Sequence, residues 1–379
     1  MYNRRSVKRV LMTTDTVGGV WTYVVDLVKE YQKRGIEVAL ATMGPLPAKY
    51  QLQQIAGITN VELFESSHKL EWMDDPWKDI EEASEWLLEL EIITHPDIIH
   101  LNGYVYGELP WHAPVLVTAH SCVCSWFGQV KGVEIPQQYT KYKRMVKNGL
   151  MGADRIVVPS LYMKRLLNCY YEKNWNASVI YNGRDPLQFV PQKKEPYIFT
   201  AGRLWDEAKN TKLLCEIAPN LKWPVIAAGE NQKMILHDLK HLGVISQKEI
   251  AGWMGRASVF VSTSLYEPFG YCVLEAALCG CPLVLSEIDS FKEIWGDAAI
   301  YVHPNDKDVL REILNDLIDS EKLREEYSIR AHERSLQFTS YVMSCQYLNL
   351  YNEMIGSANS CSENSKYQNN RNRIEKICE

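Results

Sequence analysis

The sequence has no apolar run that approaches the ~18 residues required by a membrane-spanning helix. Residues 1–12 carry basic side chains, but no long apolar core follows them, as it would in a secretory signal. The formal net charge is −6, with 47 acidic against 41 basic residues, so the surface has no general attraction for nucleic acid. We therefore expect a cytoplasmic protein, free or held at the inner face of the cell membrane, with no nucleic-acid partner.

Ten cysteines are present, but their positions suit neither a disulfide framework nor a zinc site. Two pairs are separated by a single residue, Cys122/Cys124 and Cys279/Cys281. No neighbouring Cys or His completes a ligand set for either pair. The Gly-x-Gly-x-x-Gly fingerprint of dinucleotide-binding folds is also missing, which argues against a dehydrogenase. We expect no metal and no cofactor.

The sequence does contain two successive series of short apolar runs, most of them followed by a helical pattern. The predicted strands begin at Val7, Glu37, Asp97, Val115 and Asp154 in the first series, and at Tyr197, Val225, Ala257, Leu283 and Ala299 in the second. This alternation is typical of an α/β fold with parallel sheets. A chain of 379 residues suits two or three domains.

A turn-rich segment at 179–186 predicts that the first domain ends at residue 185. The second domain is then expected to cover 186–339, and a last helix 340–355. The apolar stripe of that helix is predicted to contain Tyr341, Val342, Cys345, Tyr347, Leu348 and Tyr351. Residues 356–379 are rich in Ser and Asn, so we expect a disordered tail.

The stretch 264–282 has the pattern of a loop between a buried strand and a helix. The apolar run 257–262 precedes it, and the helix-favouring residues 273–278 lie inside it. A helix that begins at such a loop presents unpaired N–H groups and the positive end of its dipole, where an anion such as a diphosphate is favoured. The backbone expected to face phosphate belongs to Phe269, Gly270, Tyr271 and Cys272.

Two carboxylates, Glu267 in the loop and Glu275 in the helix, frame this anion position. One is placed to hold a sugar and the other a ribose diol. A capped helix with two incidental acids is the alternative interpretation, and the Glu-Pro-Phe-Gly context of Glu267 makes it less favoured.

The first domain offers a second set of candidate ligand contacts. Gly18 and Gly19 lie at a strand-to-helix turn, where glycines let a ligand approach the backbone closely. Two later strands end in turns that carry His100 and His120. Ligands of open α/β sheets gather at the C-terminal ends of strands, so His120 is a candidate contact, although a single His is more often structural.

Three charged segments each allow two interpretations. Residues 62–97 are acidic with tryptophans interspersed, which indicates a solvated helix or a loop with a sugar-stacking Trp. Residues 131–173 carry more bases than acids, which indicates a solvated helix face, a peripheral membrane contact or a grip on an anionic acceptor. Asp306 and Asp308 match the Asp-x-Asp pattern of metal-dependent transferases, but their place before an amphipathic helix favours an N-cap with a first-turn acid.

Together these motifs resemble those of the GT-B glycosyltransferases, and more narrowly those of the retaining family 4 enzymes (glycosyl transferases group 1). The likeness runs from Val7 to about Met354. The matching motifs are Gly18-Gly19-Val20, Thr118-Ala119-His120-Ser121, Asn182-Gly183, Gly202-Arg203-Leu204 with Lys209, Leu242-Gly243 before Glu249, and Glu267-Pro268-Phe269-Gly270 with Glu275-Ala276. The chain departs from the family where it carries Thr263-Ser264 in place of the frequent Pro-Ser.

The resemblance implies two Rossmann-like domains that face each other across a deep cleft, with the helix 340–355 crossing back to the first domain. It also implies roles for single residues. In the second domain, Arg203 and Lys209 are implied to bind the diphosphate, and Glu267 and the 269–272 backbone the donor sugar. Glu275 is implied to bind the ribose and the backbone near Val244 the base, and Gly229 belongs to the same nucleotide-sugar site. From the first domain, Gly18 and Gly19 reach this site across the cleft, and His120 lies beside the transferred sugar. The implied acceptor-side residues are Asn102, Tyr104 and Trp126.

The expected reaction is the transfer of a hexose, with glucose from UDP-glucose as the best candidate, to a saccharide or lipid-linked saccharide in bacterial envelope or exopolysaccharide synthesis. A departing nucleoside diphosphate develops negative charge, and no acid pair is placed for a metal, so two cations and a helix N-terminus are the expected stabilisers. No second carboxylate is placed as a nucleophile, which favours front-face transfer with retention.

Two other functions remain open. A UDP-sugar epimerase of the same fold would use a similar diphosphate grip, but it needs further carboxylates in the first domain. A non-catalytic sugar-nucleotide-binding protein is disfavoured, since His120 occurs together with both glutamates.

Overall fold

The computed structural model describes residues 6–231 and 238–361, with side chains of the last helix described as far as Gly356. Its elements form two parallel sheets, each covered by helices. The last strand of the first sheet ends at Val179 and the first strand of the second begins at Glu195. The predicted domain boundary at 185 lies between them.

The first sheet has seven strands in the order β3-β2-β1-β4-β5-β6-β7. The strands are β1 Arg9–Asp15, β2 Glu37–Met43, β3 Val61–Phe64, β4 Ile98–Leu101, β5 Val115–Thr118, β6 Arg155–Val158 and β7 Ala177–Val179. The helices of this half are α1 Gly19–Gln32, α2 Lys49–Ile55, α3 Trp77–Thr94, α4 Val123–Trp126, α5 Thr140–Gly152 and α6 Leu161–Tyr170. The first strand reaches Asp15, beyond the predicted apolar run, because its pairing with β2 continues to Met43.

The second sheet has six strands in the order β10-β9-β8-β11-β12-β13. The strands are β8 Glu195–Ala201, β9 Val225–Ala228, β10 Lys240–His241, β11 Ala257–Ser262, β12 Leu283–Ser286 and β13 Ile300–Val302. The helices are α7 Thr211–Ile217, α8 Gln247–Arg256, α9 Tyr271–Leu278, α10 Asp289–Trp295, α11 Lys307–Asp319 and α12 Glu321–Ser335. Asp306 is the N-cap of α11 and its side chain accepts a hydrogen bond from Val309 N–H, so the N-cap interpretation is confirmed.

The acidic segment 62–97 contains α3, and one face of this helix is buried in the first domain's core. The buried residues on that face are Ile80, Ala83, Leu87 and Leu90. The prediction of a solvated helix is therefore right for the outer face only.

The last helix, α13, covers Ser340–Cys361 and crosses back to pack on the first sheet, as predicted. Its buried side chains are Met343, Tyr347, Leu350, Tyr351, Met354 and Ile355. The predicted stripe was partly wrong, since Tyr341 is 61% exposed and Val342 39%. Positions 343, 347, 350, 351 and 354 share one helical face, and that face meets the sheet. The helix also continues past residue 356, where the tail was expected to begin; residues 362–379 lie outside the described residues.

A buried polar cluster joins α13 to the strands beneath the cleft. His100, on β4, is fully buried, with Nδ1 2.6 Å from the Tyr351 hydroxyl and Nε2 2.7 Å from Thr118 Oγ1. Tyr347 stacks on the same imidazole, with 5.2 Å between the ring centroids. Burial lowers the pKa of His100 well below its usual value, so the ring is neutral.

The two connections between the domains are hydrogen-bonded to each other. Arg184 N–H donates to Phe338 O at 3.0 Å, and Ser340 N–H donates to Arg184 O at 3.0 Å. A Cβ atom on Gly183 would lie 2.2 Å from Thr339 O, so only glycine fits at this crossing. The two crossings therefore form one compact hinge.

Candidate active site

Each sheet reverses its strand order at one point, and ligands of open parallel sheets bind beside such points. The reversals lie between β1 and β4 and between β8 and β11. The loops after these strands face each other across a cleft. A Cβ atom built on Gly18 (φ 94°) would lie 3.2 Å from Nη1 of Arg203, and one on Gly19 would lie 3.6 Å from the Tyr271 ring. Both glycines therefore line the cleft opposite the second domain.

Arg203 follows β8 and is held by a carboxylate that the sequence analysis did not single out. Its Nη2 lies 3.0 Å from Oδ2 of Asp206, while its own side chain is 43% exposed. Asp206 is buried, and its other oxygen accepts from Ala208 N–H at 3.0 Å and from the Trp126 indole at 3.2 Å. Trp126, predicted on the acceptor side, thus ties the first domain to the turn that carries Arg203.

Lys209 and Glu267 form an ion pair through Nζ and Oε2. Burial lowers the pKa of Lys209, but the charge and hydrogen bond of Glu267 outweigh it, so the pKa is raised and the amine stays protonated. Both side chains are mostly buried. The sequence predicted both residues at the site, and the structure brings them into direct contact.

The start of α9 is open to an anion. Gly270 precedes the helix with φ 94°, and no side chain in the described part of the chain caps it. The first turn therefore keeps unpaired N–H groups, including that of Cys272. A Cβ atom on Gly270 would lie 3.3 Å from Cγ of Glu267, so Glu267 folds over this turn.

Glu275 lies one turn further along α9 and is buried against a cation. Its Oε1 is 2.9 Å from Nε of Arg184, a hinge residue that carried no predicted role. Burial raises the pKa of Glu275 and the Arg184 charge opposes that rise. An arginine directly after Asn182-Gly183 in a predicted interdomain turn was the available sequence signal.

His120 is held in one tautomer by Asn102. The Asn102 amide nitrogen donates to Thr13 O at 2.7 Å, so its amide oxygen is the atom 2.8 Å from His120 Nε2. His120 therefore donates from Nε2 and keeps a lone pair on Nδ1. Burial lowers the pKa of His120 to about 3, so the ring is neutral at ordinary pH. The Tyr23 ring meets it edge-on, 4.7 Å between centroids.

Tyr104 supports this turn from the core. It is buried, and its hydroxyl donates to Ser121 O at 2.7 Å. Its backbone N–H donates to Glu71, whose pKa burial raises to about 7. Tyr266 of the second domain also reaches this turn, with its hydroxyl 2.9 Å from Ser121 Oγ, and no sequence pattern singled it out.

Asp15 is a further cleft residue that the sequence analysis did not assign. It ends β1, and its carboxylate accepts from Val17 N–H at 3.2 Å. Burial raises the pKa of Asp15 to about 7, although the Val17 N–H and the Arg203 charge both oppose the rise. An acid whose pKa is near neutrality therefore lies close enough to Arg203 to be affected by its charge.

Gly229 and Val244, both predicted for the nucleotide-sugar site, lie in the loops after β9 and β10. A Cβ atom on Gly229 would lie 1.8 Å from Gly202 O, so this glycine packs directly on the turn that carries Arg203. Val244 is 69% exposed at the end of the neighbouring loop. Their roles toward a base stay predictions.

Several bases of the segment 131–173 already have partners. Lys143 and Lys147 lie 3.7 and 3.8 Å from Glu172, and Lys131 pairs with Glu207. Among the described residues, no helix is long and apolar enough to cross a bilayer. A membrane contact through this segment stays a prediction.

Two family models match the chain, one described as Glycosyltransferase Family 4 over residues 17–187 and one as Glycosyl transferases group 1 over residues 184–334. The O-antigen chain mannosyltransferase B of Escherichia coli is 25% identical over 195 residues, covering 48% of this chain and 47% of that protein. The phosphatidyl-myo-inositol mannosyltransferase of Mycolicibacterium smegmatis is 26% identical over 206 residues, covering 48% and 53%. The chain spans about half the length of the curated relatives it matches.

Solved structures share the architecture over nearly the whole chain. Sucrose-phosphate synthase from Thermosynechococcus elongatus superposes with a TM-score of 0.78 at 17% identity, covering 92% of this chain and all of that one (100%). Anabaena HepE in complex with UDP-glucose gives a TM-score of 0.71 at 15% identity, covering 92% and 99%. At such low sequence identity, the structural similarity establishes the shared fold alone.

Proposed function

Because this chain belongs to the family 4 glycosyltransferases and has their GT-B fold, as predicted, we propose that it transfers a hexose from a nucleoside diphosphate sugar to a saccharide or lipid-linked saccharide. UDP-glucose is the donor we consider first, since a solved neighbour binds it. Relatives named for O-antigen and phosphatidyl-myo-inositol mannosylation support an acceptor in envelope or exopolysaccharide synthesis.

The observation that carries this proposal is the convergence of two cations and an open helix start on one wall of the cleft. Arg203 presents a rigid fork to phosphate oxygens, and Lys209 presents a compact charge. The first turn of α9 adds unpaired N–H groups to the same wall. Together they stabilise the charge that develops on a departing diphosphate, without requiring a metal ion.

His120 contributes from the opposite wall. Its neutral imidazole keeps a lone pair on Nδ1, which can accept a hydrogen bond from a sugar hydroxyl. A neutral ring fits a transition state with positive character at the sugar, because it adds no like charge. In the proposed front-face reaction, the acceptor oxygen bonds to the anomeric carbon as the carbon–phosphate oxygen bond breaks, and the acceptor's proton moves to the departing phosphate.

The test is a panel of UDP-, GDP- and ADP-hexoses with glycan acceptors, read by mass spectrometry and by NMR of the new anomeric centre. We expect transfer with retention and continued turnover in EDTA. Loss of activity in EDTA that Mg²⁺ or Mn²⁺ restores would contradict metal independence. An epimerised sugar nucleotide would identify an epimerase, and binding without transfer or hydrolysis would identify a sensor.

A further inference from the structure

Arg184 is a buried cation at the hinge that contacts both domains. Its side chain is 1% exposed. Nη1 lies 2.5 Å from Oδ2 of Asp26, on α1 of the first domain. Nε lies 2.9 Å from Oε1 of Glu275, on α9 of the second. The guanidinium therefore bridges the two donor-facing helices through one rigid planar group.

Stability alone is a weak reason for such an arrangement. Burying charges removes their hydration, and apolar replacements of buried ion pairs are often neutral or stabilising. Here one buried cation is shared by two buried acidic groups. Burial raises the pKa of Asp26 and of Glu275 against the opposing charge of Arg184.

Arg184 fixes the place of the Glu275 carboxylate. The two groups form a buried ion pair, with Nε of Arg184 2.9 Å from Oε1 of Glu275. Arg184 in turn has little freedom, because its backbone is fixed to Phe338 and Ser340 and its guanidinium lies 4.8 Å from the Phe189 ring centroid. The position of the Glu275 carboxylate therefore depends on the hinge.

We propose that Arg184 is a positioning residue that aims the Glu275 carboxylate at the ribose hydroxyls of the donor, and that Asp26 makes this aim depend on the first domain. This inference rests on the proposed function, in which Glu275 takes the ribose. Arg184 does not itself touch the donor. When the domains separate, the ion pair with Asp26 breaks, the guanidinium loses one of its two supports and the ribose contact weakens.

The test compares binding of UDP and 2′-deoxy-UDP by isothermal titration calorimetry. Losing a hydrogen bond to a carboxylate changes affinity by about tenfold or more, so the wild-type protein should prefer UDP by about that factor. In Asp26→Asn and in Arg184→Gln the preference should fall to about threefold or less. A residue with only a structural role would weaken both ligands equally and leave their ratio unchanged.

Asp26→Asn is the deciding variant, because Arg184→Gln leaves two buried carboxylates without a cation and risks unfolding. The asparagine introduced by Asp26→Asn keeps an oxygen that can accept from Arg184. The matched control is Arg165→Gln, which removes an exposed interdomain ion pair (Arg165 Nη2 to Asp289 Oδ2, 3.2 Å) away from the site. It should keep the full preference for UDP.

The possible results distinguish a failure of this inference from a failure of the proposed function. An unchanged UDP preference in folded Asp26→Asn overturns the inference, as does a wild-type protein that binds both ligands equally; the proposed function survives either result. A wild-type protein that binds none of UDP, GDP or ADP overturns the proposed function and this inference with it.

Discussion

The two walls of the cleft hold their polar groups in different states. The first-domain wall is largely neutral: His120 has a pKa of about 3, Asn102 fixes its tautomer, and burial raises the pKa of Asp15 to about 7. The second-domain wall is charged, with Arg203 paired to Asp206 and Lys209 to Glu267. The first wall suits hydroxyl groups, and the second suits an anion.

Under the proposed function, the ion pairs on the second wall also hold its cations in place before a donor binds. Burial alone would favour a neutral Lys209, and the Glu267 carboxylate reverses that preference. A diphosphate that enters the cleft can take over the role of the carboxylate, so little reorganisation is needed. On this view Glu267 is released toward the donor sugar as Lys209 turns to phosphate.

The largest effect should follow from removing the helix that supports the first wall. Deletion from Ser340 removes Tyr347 and Tyr351, which cover His100 and Thr118 beneath the cleft. We expect loss of the folded protein and of all activity, measured by thermal melting, dye binding to exposed apolar surface and transfer assays.

The control for that deletion is a chain that ends at Gly356. Ile355 is the last buried side chain of α13 that the structure describes, so removal of 357–379 should leave melting temperature and activity intact. A well-folded, active protein that lacks Ser340 onward would refute the supporting role. An inactive protein truncated at Gly356 would mean that the tail has a function.

The next largest effect should follow from removing the cations of the second-domain wall. Arg203→Ala and Lys209→Ala should each weaken UDP binding and lower turnover by on the order of 10²-fold or more, because charge on the departing diphosphate is no longer neutralised. Lys212→Ala, at an exposed lysine on the adjacent helix, is the matched control and should behave like wild type. Near-normal turnover in both site variants would remove the diphosphate assignment.

The sequence predicted most of the strands that carry the site, because their apolar runs are long enough to recognise. Three strands were not predicted, β3, β7 and β10, since each is a short strand at the edge of its sheet. Of the residues predicted for the site, Lys209 and Glu267 form an ion pair, and Arg203 lies close enough for its charge to act on Lys209. These residues were predictable because each belongs to a short motif of neighbouring residues that can be recognised in a single sequence.

The missed residues Asp206 and Arg184 are held in place by partners far away in the chain, although Asp206 also pairs with Arg203 only three positions away. Asp206 accepts a hydrogen bond from the indole N–H of Trp126, 80 positions away, and Arg184 forms an ion pair with Asp26, 158 positions away. Neither spacing leaves a pattern in one sequence. Asp15 was missed for a related reason. Its raised pKa comes from burial at the end of β1, which exists only in the folded protein.

A smaller effect should come from the neutral wall. Asn102→Ala removes the acceptor that fixes His120 Nε2–H, so the imidazole can adopt the wrong tautomer. We expect kcat to fall by about tenfold while the donor KM stays near wild type, since one hydrogen bond that orients a contact is lost. Asn148→Ala, at a residue whose amide donates to the exposed Glu108, is the control. A KM effect without a kcat effect would place Asn102 in donor binding.

The smallest effect should be a pH dependence that links the two walls through Asp15. Below its pKa of about 7 this acid is neutral, and above it a carboxylate competes with the diphosphate for Arg203. UDP-glucose affinity should therefore rise a few-fold, about three- to tenfold, from pH 8 to pH 6. The ligand's diphosphate diester does not titrate in this window, and His120 stays neutral throughout it.

Asp15→Asn should flatten the pH profile of UDP-glucose binding at the affinity that the wild-type protein shows at pH 6. It should also change stability in one direction. The raised pKa gives the folded protein extra bound protons between the ordinary value of 3.8 and about 7, so stability from Asp15 is lost as pH rises through that range. The Asp15→Asn variant keeps a neutral side chain at every pH, and its melting temperature should therefore exceed that of the wild type at pH 8 but not at pH 4. A wild-type binding profile that is flat from pH 6 to pH 8 would separate Asp15 from the donor site.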